Sequence, residues 1–153
     1  MKTVLTYGTF DLFHVGHVNL LQRARALGDR LIVGISTDEF NKIKDKKSII
    51  PYQHRADIVN ALKCVDYVFP ENNWSQKPSD IKRFDAKILV MGHDWEGRFD
   101  DLNSLCDVTY LSRTEGISTT DLKLALSALD GNRIAELKKS LDAVQAAVDQ
   151  LGN

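Results

Sequence analysis

The sequence has few features that would point to a covalently reinforced or membrane-embedded fold. Its two cysteines, Cys64 and Cys106, form no C-x-x-C pair, which argues against a disulfide framework and a zinc knuckle. We expect both to be reduced residues in or near the core, where free cysteine is commonly found. The longest apolar runs, such as residues 31–35, fall far short of the roughly 18 residues that a membrane helix needs. We therefore predict no membrane span and no structural metal.

A charge excess of either sign is also missing. The 153 residues include 20 Lys and Arg against 21 Asp and Glu, a formal net charge of -1. Binding to duplex nucleic acid usually requires a clustered basic excess, so nucleic acid is not an expected partner. The N-terminus begins directly with a strand-like pattern and lacks the apolar core and cleavage site of a secretory signal. We expect a cytoplasmic globular protein.

Short apolar runs of strand length alternate with helix-length segments along most of the chain. Helices are predicted at residues 17–27, 52–63 and 79–84, with Leu21 and Ala24 facing inward on the first and Ile58, Ala61 and Leu62 on the second. The strands between them are rich in Ile, Val and Leu, which indicates a parallel sheet covered on both faces. The fold class is α/β, a single Rossmann-like doubly wound sheet whose ligands bind beyond the carboxyl ends of the strands. The predicted strands span residues 3–7, 30–35, 67–69, 87–91 and 108–111.

After residue 120 the alternation gives way to helical sequence. A helix over residues 120–129, a break at residues 130–132 and a final helix from residue 133 are predicted. In the final helix, apolar residues at alternating spacings of three and four form an a/d seam of about two and a half heptads. This seam fits a helix packed along its own domain and a dimerisation surface equally well. We assign residues 1–129 to the main domain and residues 130–153 to a helical extension.

The segment after the first strand, residues 8–17, has two histidines three residues apart where a loop becomes a helix. The start of a helix favours an anion such as phosphate, and Gly16 would let the backbone approach it. His14 and His17 can donate hydrogen bonds to phosphate oxygens or hold positive charge where negative charge develops. Two alternatives remain. The histidines can make structural hydrogen bonds only, or they can be metal ligands, although the nearest carboxylate, Asp11, does not stand at a spacing familiar from metal sites.

Three further segments follow predicted strand ends. The lysine run at residues 42–47 is either a solvated face or an anion-binding loop. Residues 91–100 suit a loop that stacks on a ring, and Trp74 is either part of the same sheet edge or a hydrophobic plug. Residues 113–120 combine an arginine with three consecutive hydroxyls, of which Ser118 is also a plain N-cap candidate. Two phosphate-binding helix starts at one edge would indicate a polyphosphate ligand.

Residues 8–17 and 113–120 resemble the two signature motifs of the cytidylyltransferase family. The H-x-G-H element alone also occurs in adenylyltransferases and class I aminoacyl-tRNA synthetases, whereas its combination with R-T-E-G-I-S-T-T is highly specific. The likeness covers about residues 1–129 and is greatest to bacterial members whose acceptor is sn-glycerol 3-phosphate. It implies a nucleotidyltransferase that converts CTP and sn-glycerol 3-phosphate to CDP-glycerol and pyrophosphate for teichoic acid or related polymers. It also implies a homodimer, with Mg²⁺ bound mainly through the CTP phosphates.

The resemblance further implies a role for each matching position. Asp11 is expected to organise the first loop or a Mg²⁺ ion, and Lys63 stands where the family commonly has arginine, near the dimer interface. The catalytic residues implied are His14, His17, Arg113 and Asp11. The residues implied to bind the acceptor are Lys44, Lys77, Trp74 and Arg55. Those implied to bind CTP are Thr9, Phe10, His14, Val15, Gly16, His17, Lys46, Asp94, Trp95, Arg113, Thr114, Glu115, Gly116, Ile117, Ser118, Thr119 and Thr120.

Other functions remain open at this point. The acceptor can be ribitol, ethanolamine or choline phosphate, and ATP can replace CTP. A non-catalytic nucleotide-binding subunit is disfavoured by the joint presence of His14, His17 and Arg113. A tRNA synthetase is disfavoured because the sequence has no segment like K-M-S-K-S.

Overall fold

The computed structural model describes residues 1–151, which contain one five-stranded sheet. The strands pair in parallel throughout, in the order β3-β2-β1-β4-β5, with the reversal of order at β1 that defines a doubly wound fold. All five predicted strands and the predicted fold class are confirmed. The strands are β1 (Thr3–Gly8), β2 (Arg30–Ser36), β3 (Tyr67–Glu71), β4 (Ala86–Gly92) and β5 (Asp107–Leu111).

Four helices accompany the sheet: α1 (Val15–Arg25), α2 (Asp38–Ile43), α3 (Tyr52–Asn60) and α4 (Lys77–Arg83). Single turns of 3₁₀ helix lie at Trp74–Gln76 and His93–Trp95, and a longer one lies at Asp100–Ser104. Helix α1 begins two residues earlier than predicted because His14 caps it. Its buried residues are Leu21 and Ala24, as the periodicity predicts.

Side chains that alternate along the strands supply a core on each face of the sheet. Val4 and Val33 pack on one face with residues of α1 and α3, and Leu5 and Ile32 pack on the other with Ile81 of α4. Because both faces are covered, the central strands carry apolar residues almost without interruption. The layered packing fixes the carboxyl ends of the strands, where the chemically unusual segments lie.

The inward face predicted for this segment is wrong for Ile58 and Ala61, whereas Leu62 packs against the core as predicted. Ile58 is 42% exposed and Ala61 is also exposed. The helix instead buries Arg55, Ala56 and Val59. The prediction placed apolar residues inside and did not consider that an arginine with enough hydrogen-bond partners can occupy the core.

The last element is one long helix, α5 (Thr119–Leu151), of 33 residues. It runs through residues 130–132 without the predicted break, which corrects that expectation. One glycine inside a helix costs only about 1 kcal/mol relative to alanine, so Gly131 does not stop a helix with strong helix formers on both sides. By compactness the chain divides into Met1–Ile117 and Ser118–Asn153. Within residues 1–151, none of the helices combines the length and apolarity needed to cross a membrane.

Candidate active site

The two histidines of the first motif lie at the start of α1, where each uses one ring nitrogen to cap the helix. Nδ1 of His14 accepts a hydrogen bond from the N–H of Gly16 at 3.0 Å. Nδ1 of His17 accepts one from the N–H of His14 at 3.2 Å. This reciprocal arrangement satisfies N–H groups that a helix start leaves unpaired. With Nδ1 as the acceptor, each neutral ring carries its proton on Nε2, which can donate to a phosphate oxygen. The structural and the catalytic interpretations therefore concern different nitrogens and are compatible.

Burial makes the neutral form of both rings the stable one. The two rings stack with centroids 3.9 Å apart. The pKa of His17 is lowered from 6.5 to about 4, first by burial and then by the charge of His14, while Asp11 opposes the shift. Burial also lowers the pKa of His14. At neutral pH these side chains thus act as hydrogen-bond donors and not as cations.

The lowered pKa of His17 predicts a pH dependence of stability. The unfolded chain takes up a proton on this histidine below about pH 6.5 and the folded chain only below about pH 4, so stability falls as the pH drops through this interval. Urea unfolding at pH 7 and pH 4.5 measures the loss. His17→Gln, which cannot titrate but can keep the cap, should lose less stability over the same interval. An equal loss in both proteins would contradict the prediction.

Two glycines make room for the rings of this loop. A Cβ at Gly16 would lie 2.7 Å from Cε1 and 2.9 Å from Nδ1 of His14, and one at Gly8 would lie 2.8 Å from the Phe10 ring. Phe10 itself has a left-handed backbone, with φ of 53°, and its buried ring meets His17 edge-on. The ring of His14 thus requires a glycine at position 16, whether or not a ligand also approaches the backbone there. A contact between Phe10 and CTP would have to come from its backbone.

Asp11 ties this loop to the segment that precedes α3. Its carboxylate is almost fully buried and accepts hydrogen bonds from the backbone N–H groups of Leu12, Ile49 and Ile50. The two longer-range bonds measure 2.7 and 2.9 Å. Of the two roles expected for Asp11, this geometry favours organisation of the loop.

Arg55 is fully buried and joins several segments at the edge of the sheet. Its guanidinium donates to the carbonyl oxygens of Thr9, Ser36 and Ile50 and to the carboxylate of Asp38, over 2.6 to 2.8 Å. Four of its five N–H donors are engaged in this way. The predicted contact of Arg55 with the acceptor remains a prediction, and in this structure the side chain supports the loops around the site.

Two lysines of the predicted acceptor site are connected to one carboxylate, Lys77 directly and Lys44 through a hydroxyl group. Nζ of Lys77 lies 2.6 Å from Oε1 of Glu71, whose Oε2 accepts a hydrogen bond of 2.6 Å from the Ser36 hydroxyl. The same hydroxyl accepts a hydrogen bond of 2.8 Å from Nζ of Lys44. Glu71 and Lys77 are buried, whereas Lys44 is half-buried. We call these four residues the lysine–glutamate cluster; they bring together the ends of β2, β3 and α2 and the start of α4.

Aromatic rings surround the ammonium groups of this edge. The ring of Trp74 meets those of Phe40 and Trp95 edge-on, with centroids 5.2 and 5.4 Å apart. Nζ of Lys44 lies 4.5 Å from the Phe40 centroid, and Nζ of Lys46 lies 5.9 Å from that of Trp95. Both distances are within cation–π range. The predicted lysine run and the predicted stacking loop therefore lie at one site, with Trp74 between them.

Asp94 and Arg113 bind each other across the ends of β4 and β5 through an ion pair. Both side chains are more than half exposed. The resemblance to the cytidylyltransferase family implies that both residues bind CTP. In the structure they bind each other through one nitrogen and one oxygen, so CTP competes with Asp94 for this part of the guanidinium if it binds there.

The second signature motif is held partly by side-chain hydrogen bonds. The hydroxyl of Thr114 accepts a hydrogen bond of 3.1 Å from the amide of Asn19 on α1. Gly116 has a left-handed backbone, with φ of 82°, which favours glycine. The hydroxyl of Ser118 accepts a hydrogen bond of 3.1 Å from the N–H of Asp121, which confirms Ser118 as a helix cap. The triphosphate contacts predicted for residues 118–120 remain a prediction.

Sequence reasoning missed three polar residues near the site: Ser36, Asn41 and Glu71. Asn41 is fully buried and accepts a hydrogen bond of 3.0 Å from the Thr9 hydroxyl. No pattern marks it, because a polar residue on a short helix normally faces solvent. Glu71 did carry a signal, since it ends a parallel strand at the edge where such sheets bind ligands.

Comparisons with known proteins agree with this picture. The model of the cytidylyltransferase-like family matches residues 5–125. The chain is 55% identical over 130 residues to glycerol-3-phosphate cytidylyltransferase of Staphylococcus aureus, covering 85% of this chain and 98% of that protein. It is 55% identical over 129 residues to the protein of the same name from Bacillus subtilis, covering 84% and 100%. The solved structure of a lipopolysaccharide core biosynthesis protein from Thermoplasma volcanium has the same fold, with a TM-score of 0.66 at 22% identity over 75% of this chain and 99% of that one.

Proposed function

This chain belongs to the cytidylyltransferase-like family, and on that premise we propose that it is a glycerol-3-phosphate cytidylyltransferase. It joins CTP and sn-glycerol 3-phosphate to give CDP-glycerol and pyrophosphate. The observation that carries this proposal is 55% identity over nearly the full length of the two bacterial enzymes of that name. Neither a different phosphoalcohol acceptor nor a non-catalytic binding role has comparable support.

The reaction is an in-line displacement at phosphorus. An oxygen of the acceptor phosphate attacks the α-phosphorus of CTP, and the bond from that phosphorus to the oxygen bridging to the β-phosphorus breaks. Pyrophosphate leaves with the electron pair. The attacking oxygen is already anionic, so no strong base is required, and positioning and hydrogen-bond donation supply most of the rate. The Nε2–H groups of His14 and His17 donate to the oxygens of the α-phosphate as negative charge grows there.

We propose that Mg²⁺ enters as the counter-ion of CTP. Within the part of the chain that the structure describes, no three His, Cys, Asp or Glu side chains converge as a metal site. The carboxylate of Asp11 is engaged by backbone N–H groups. Mg²⁺ commonly keeps several waters and binds through nucleotide phosphates with few protein ligands. When bound, the ion neutralises part of the triphosphate charge.

The function is tested with a matrix of substrates. Purified protein is incubated with each of the four nucleoside triphosphates and with glycerol, ribitol, ethanolamine or choline phosphate, and pyrophosphate release is followed. We expect turnover to be greatest with CTP and sn-glycerol 3-phosphate. Turnover with ATP but not CTP would overturn the proposal, and a preference for another phosphoalcohol would reassign the acceptor.

Replacing Lys44 by alanine is expected to raise the KM for sn-glycerol 3-phosphate by roughly 10- to 100-fold, the effect of losing a charged hydrogen bond. The KM for CTP should change by less than about twofold, because Lys44 faces the acceptor side. Lys77 is buried against Glu71 and cannot take its place. Steady-state kinetics with each substrate varied in turn measure both constants.

The matched control is Lys82→Ala, which removes an exposed lysine from α4, away from the lysine run. It should leave both constants unchanged. A Lys44→Ala effect confined to CTP would move this residue to the nucleotide side of the site.

We propose that the protein is a homodimer and that the α5 seam takes part in the interface. The seam consists of apolar side chains that are each more than half exposed: Ile134, Leu137, Leu141, Val144, Val148 and Leu151. The two outer heptads have Ile134 and Val148 at a and Leu137 and Leu151 at d, a pattern typical of two-stranded coiled coils, while the middle heptad has the reverse order of Leu and Val. The charges of this helix are balanced, which favours a protein partner over an anionic membrane.

Leu141→Asp, which places a charge in the middle of the seam, is expected to shift the protein from dimer to monomer in light scattering at micromolar concentration. Ala146→Asp introduces the same charge on the opposite side of the helix and should leave the mass unchanged. A wild-type protein that is monomeric would contradict the homodimer. A Leu141→Asp protein that stays dimeric would place the interface elsewhere.

The division into a catalytic domain at residues 1–129 and a helical extension at residues 130–153 also remains our proposal. It is supported by the Bacillus subtilis protein, which is covered completely by 129 aligned residues. We further propose a cytoplasmic location, where CTP is available, and a role in making CDP-glycerol for teichoic acid or a related cell-surface polymer.

A further inference from the structure

The lysine–glutamate cluster has one carboxylate for two ammonium groups. Glu71 is 3% exposed and Lys77 is 2% exposed, so both charges are removed from water. A buried ion is costly unless each of its hydrogen-bonding atoms is engaged. Both oxygens of Glu71 are engaged, one by Lys77 and one by the Ser36 hydroxyl. The carboxylate therefore has fixed neighbours on both sides.

The hydroxyl of Ser36 links Glu71 to Lys44 through two hydrogen bonds. It donates a hydrogen bond to Glu71, so its oxygen lone pairs face the Lys44 ammonium, which donates a hydrogen bond of 2.8 Å to them. The hydrogen bonds thus run in one direction, from Lys44 through Ser36 to Glu71. With both lysines protonated and Glu71 ionised, the cluster has one net positive charge. That charge lies at its half-buried end, on Lys44.

We infer that Glu71 is the positioning residue of the acceptor phosphate site, holding Lys77 directly and Lys44 through Ser36. This inference rests on the proposed function, because the phosphate it serves is that of sn-glycerol 3-phosphate. Glu71 is not a catalytic residue, since it contacts the lysines and not the reacting atoms. Its charge favours the protonated form of Lys44. One of its oxygens holds the Lys77 ammonium, and the other orients the Ser36 hydroxyl to which Lys44 donates.

The surroundings of Lys44 explain why the charge of Glu71 matters. Burial lowers the pKa of Lys44 to about 8, and the nearby positive charges of Lys46, Lys77 and Arg55 lower it as well. Glu71, on β3, is the negative charge that opposes them. Without it the pKa falls further, so Lys44 loses its proton at a lower pH. Binding of the acceptor should then weaken at a lower pH than in the wild type.

The test compares Glu71→Gln, Ser36→Ala and the wild type by steady-state kinetics between about pH 6 and 9. Glutamine keeps the shape of Glu71 and removes its charge. We expect the KM for sn-glycerol 3-phosphate at pH 7.5 to rise about tenfold or more, the effect of losing a charge-assisted contact. The alkaline rise of this KM should begin at least about half a pH unit lower. The KM for CTP should stay within about twofold.

Ser36→Ala breaks the link to Lys44 and leaves the Lys77–Glu71 pair in place. It should raise the KM for the acceptor by a smaller factor, about threefold or more, the effect of one lost hydrogen bond. Glu39→Gln, which removes an exposed carboxylate from α2, is the matched control and should change neither the constants nor the pH profile.

If Glu71→Gln does not fold because Lys77 is left unpaired, the double variant Glu71→Gln with Lys77→Met removes both buried charges. Because the Lys77 charge that lowers the pKa of Lys44 is lost together with Glu71, this variant is compared with Lys77→Met alone, which keeps Glu71. The double variant should have the higher acceptor KM of the two, and its alkaline rise should begin at the lower pH. An unchanged acceptor KM and pH profile in a folded Glu71 variant would overturn the inference while leaving the function intact. A wild-type protein that does not consume sn-glycerol 3-phosphate would instead overturn the proposed function.

Discussion

Replacing His14 or His17 by alanine is expected to lower kcat by about 100- to 1,000-fold, the usual loss when one donor to a developing oxyanion is removed. Each ring offers its Nε2–H only because its Nδ1 accepts a backbone hydrogen bond at the start of α1. The effect should appear in kcat and not in the KM for either substrate, because the donation strengthens as charge grows on the α-phosphate. Single-turnover measurements with saturating CTP isolate this step.

Alanine also removes a helix cap, which costs about 0.5 to 2 kcal/mol of stability, so a matched pair of variants is needed. Asparagine at position 14 is a preferred N-cap residue, and glutamine at position 17 is the usual partner in a reciprocal cap. His14→Asn and His17→Gln should therefore keep the thermal stability of the wild type and still lose most of the turnover. If these variants retained near-normal kcat, the two histidines would be structural only.

Replacing Arg55 by methionine is expected to lower the free energy of unfolding by about 2 to 4 kcal/mol, because several acceptors near or in the core lose their hydrogen-bond donor at once. Methionine fills most of the volume but leaves the carbonyl oxygens of Thr9 and Ser36 without their donor. It also leaves Asp38 without its arginine. Urea denaturation followed by circular dichroism measures the change.

Two controls separate charge from geometry at this position. Arg55→Lys restores the charge but not the planar fork, so it should recover only part of the loss. Arg83→Met removes an exposed arginine from α4 and should change the stability by less than about 0.5 kcal/mol. A loss below about 1 kcal/mol for Arg55→Met would mean that water replaces the guanidinium at no large cost.

The sheet and the first motif were predictable because the physical signals for them are local. Continuous Ile, Val and Leu at strand length, interrupted by amphipathic segments, lead to a parallel sheet covered on both faces. His14 and His17 were found because their spacing coincides with a helix start beyond a strand. The burial of Arg55 and Glu71, in contrast, has no local signal. Their burial depends on partners 19 and 35 residues away, and no pattern of hydrophobicity contains those partners.

The continuity of α5 was missed for the opposite reason. The predicted break rests on a local signal at residues 130–132, whereas the helical sequence on either side decides the structure. Helix formation is cooperative, so one unfavourable residue inside a long favourable stretch is tolerated. The sequence motifs also could not reveal that the Asp94 carboxylate and the Arg113 guanidinium would be paired with each other.

Under the proposed function, the Asp94 carboxylate competes with CTP for the guanidinium of Arg113. An exposed ion pair is worth at most about 1 kcal/mol, so its opening reduces the apparent affinity for CTP by no more than about fivefold. In return, the carboxylate holds the long arginine side chain at the ends of β4 and β5, where we propose that CTP binds. We therefore expect CTP to replace one anionic partner of Arg113 by another, so that binding has to order only a small part of that side chain.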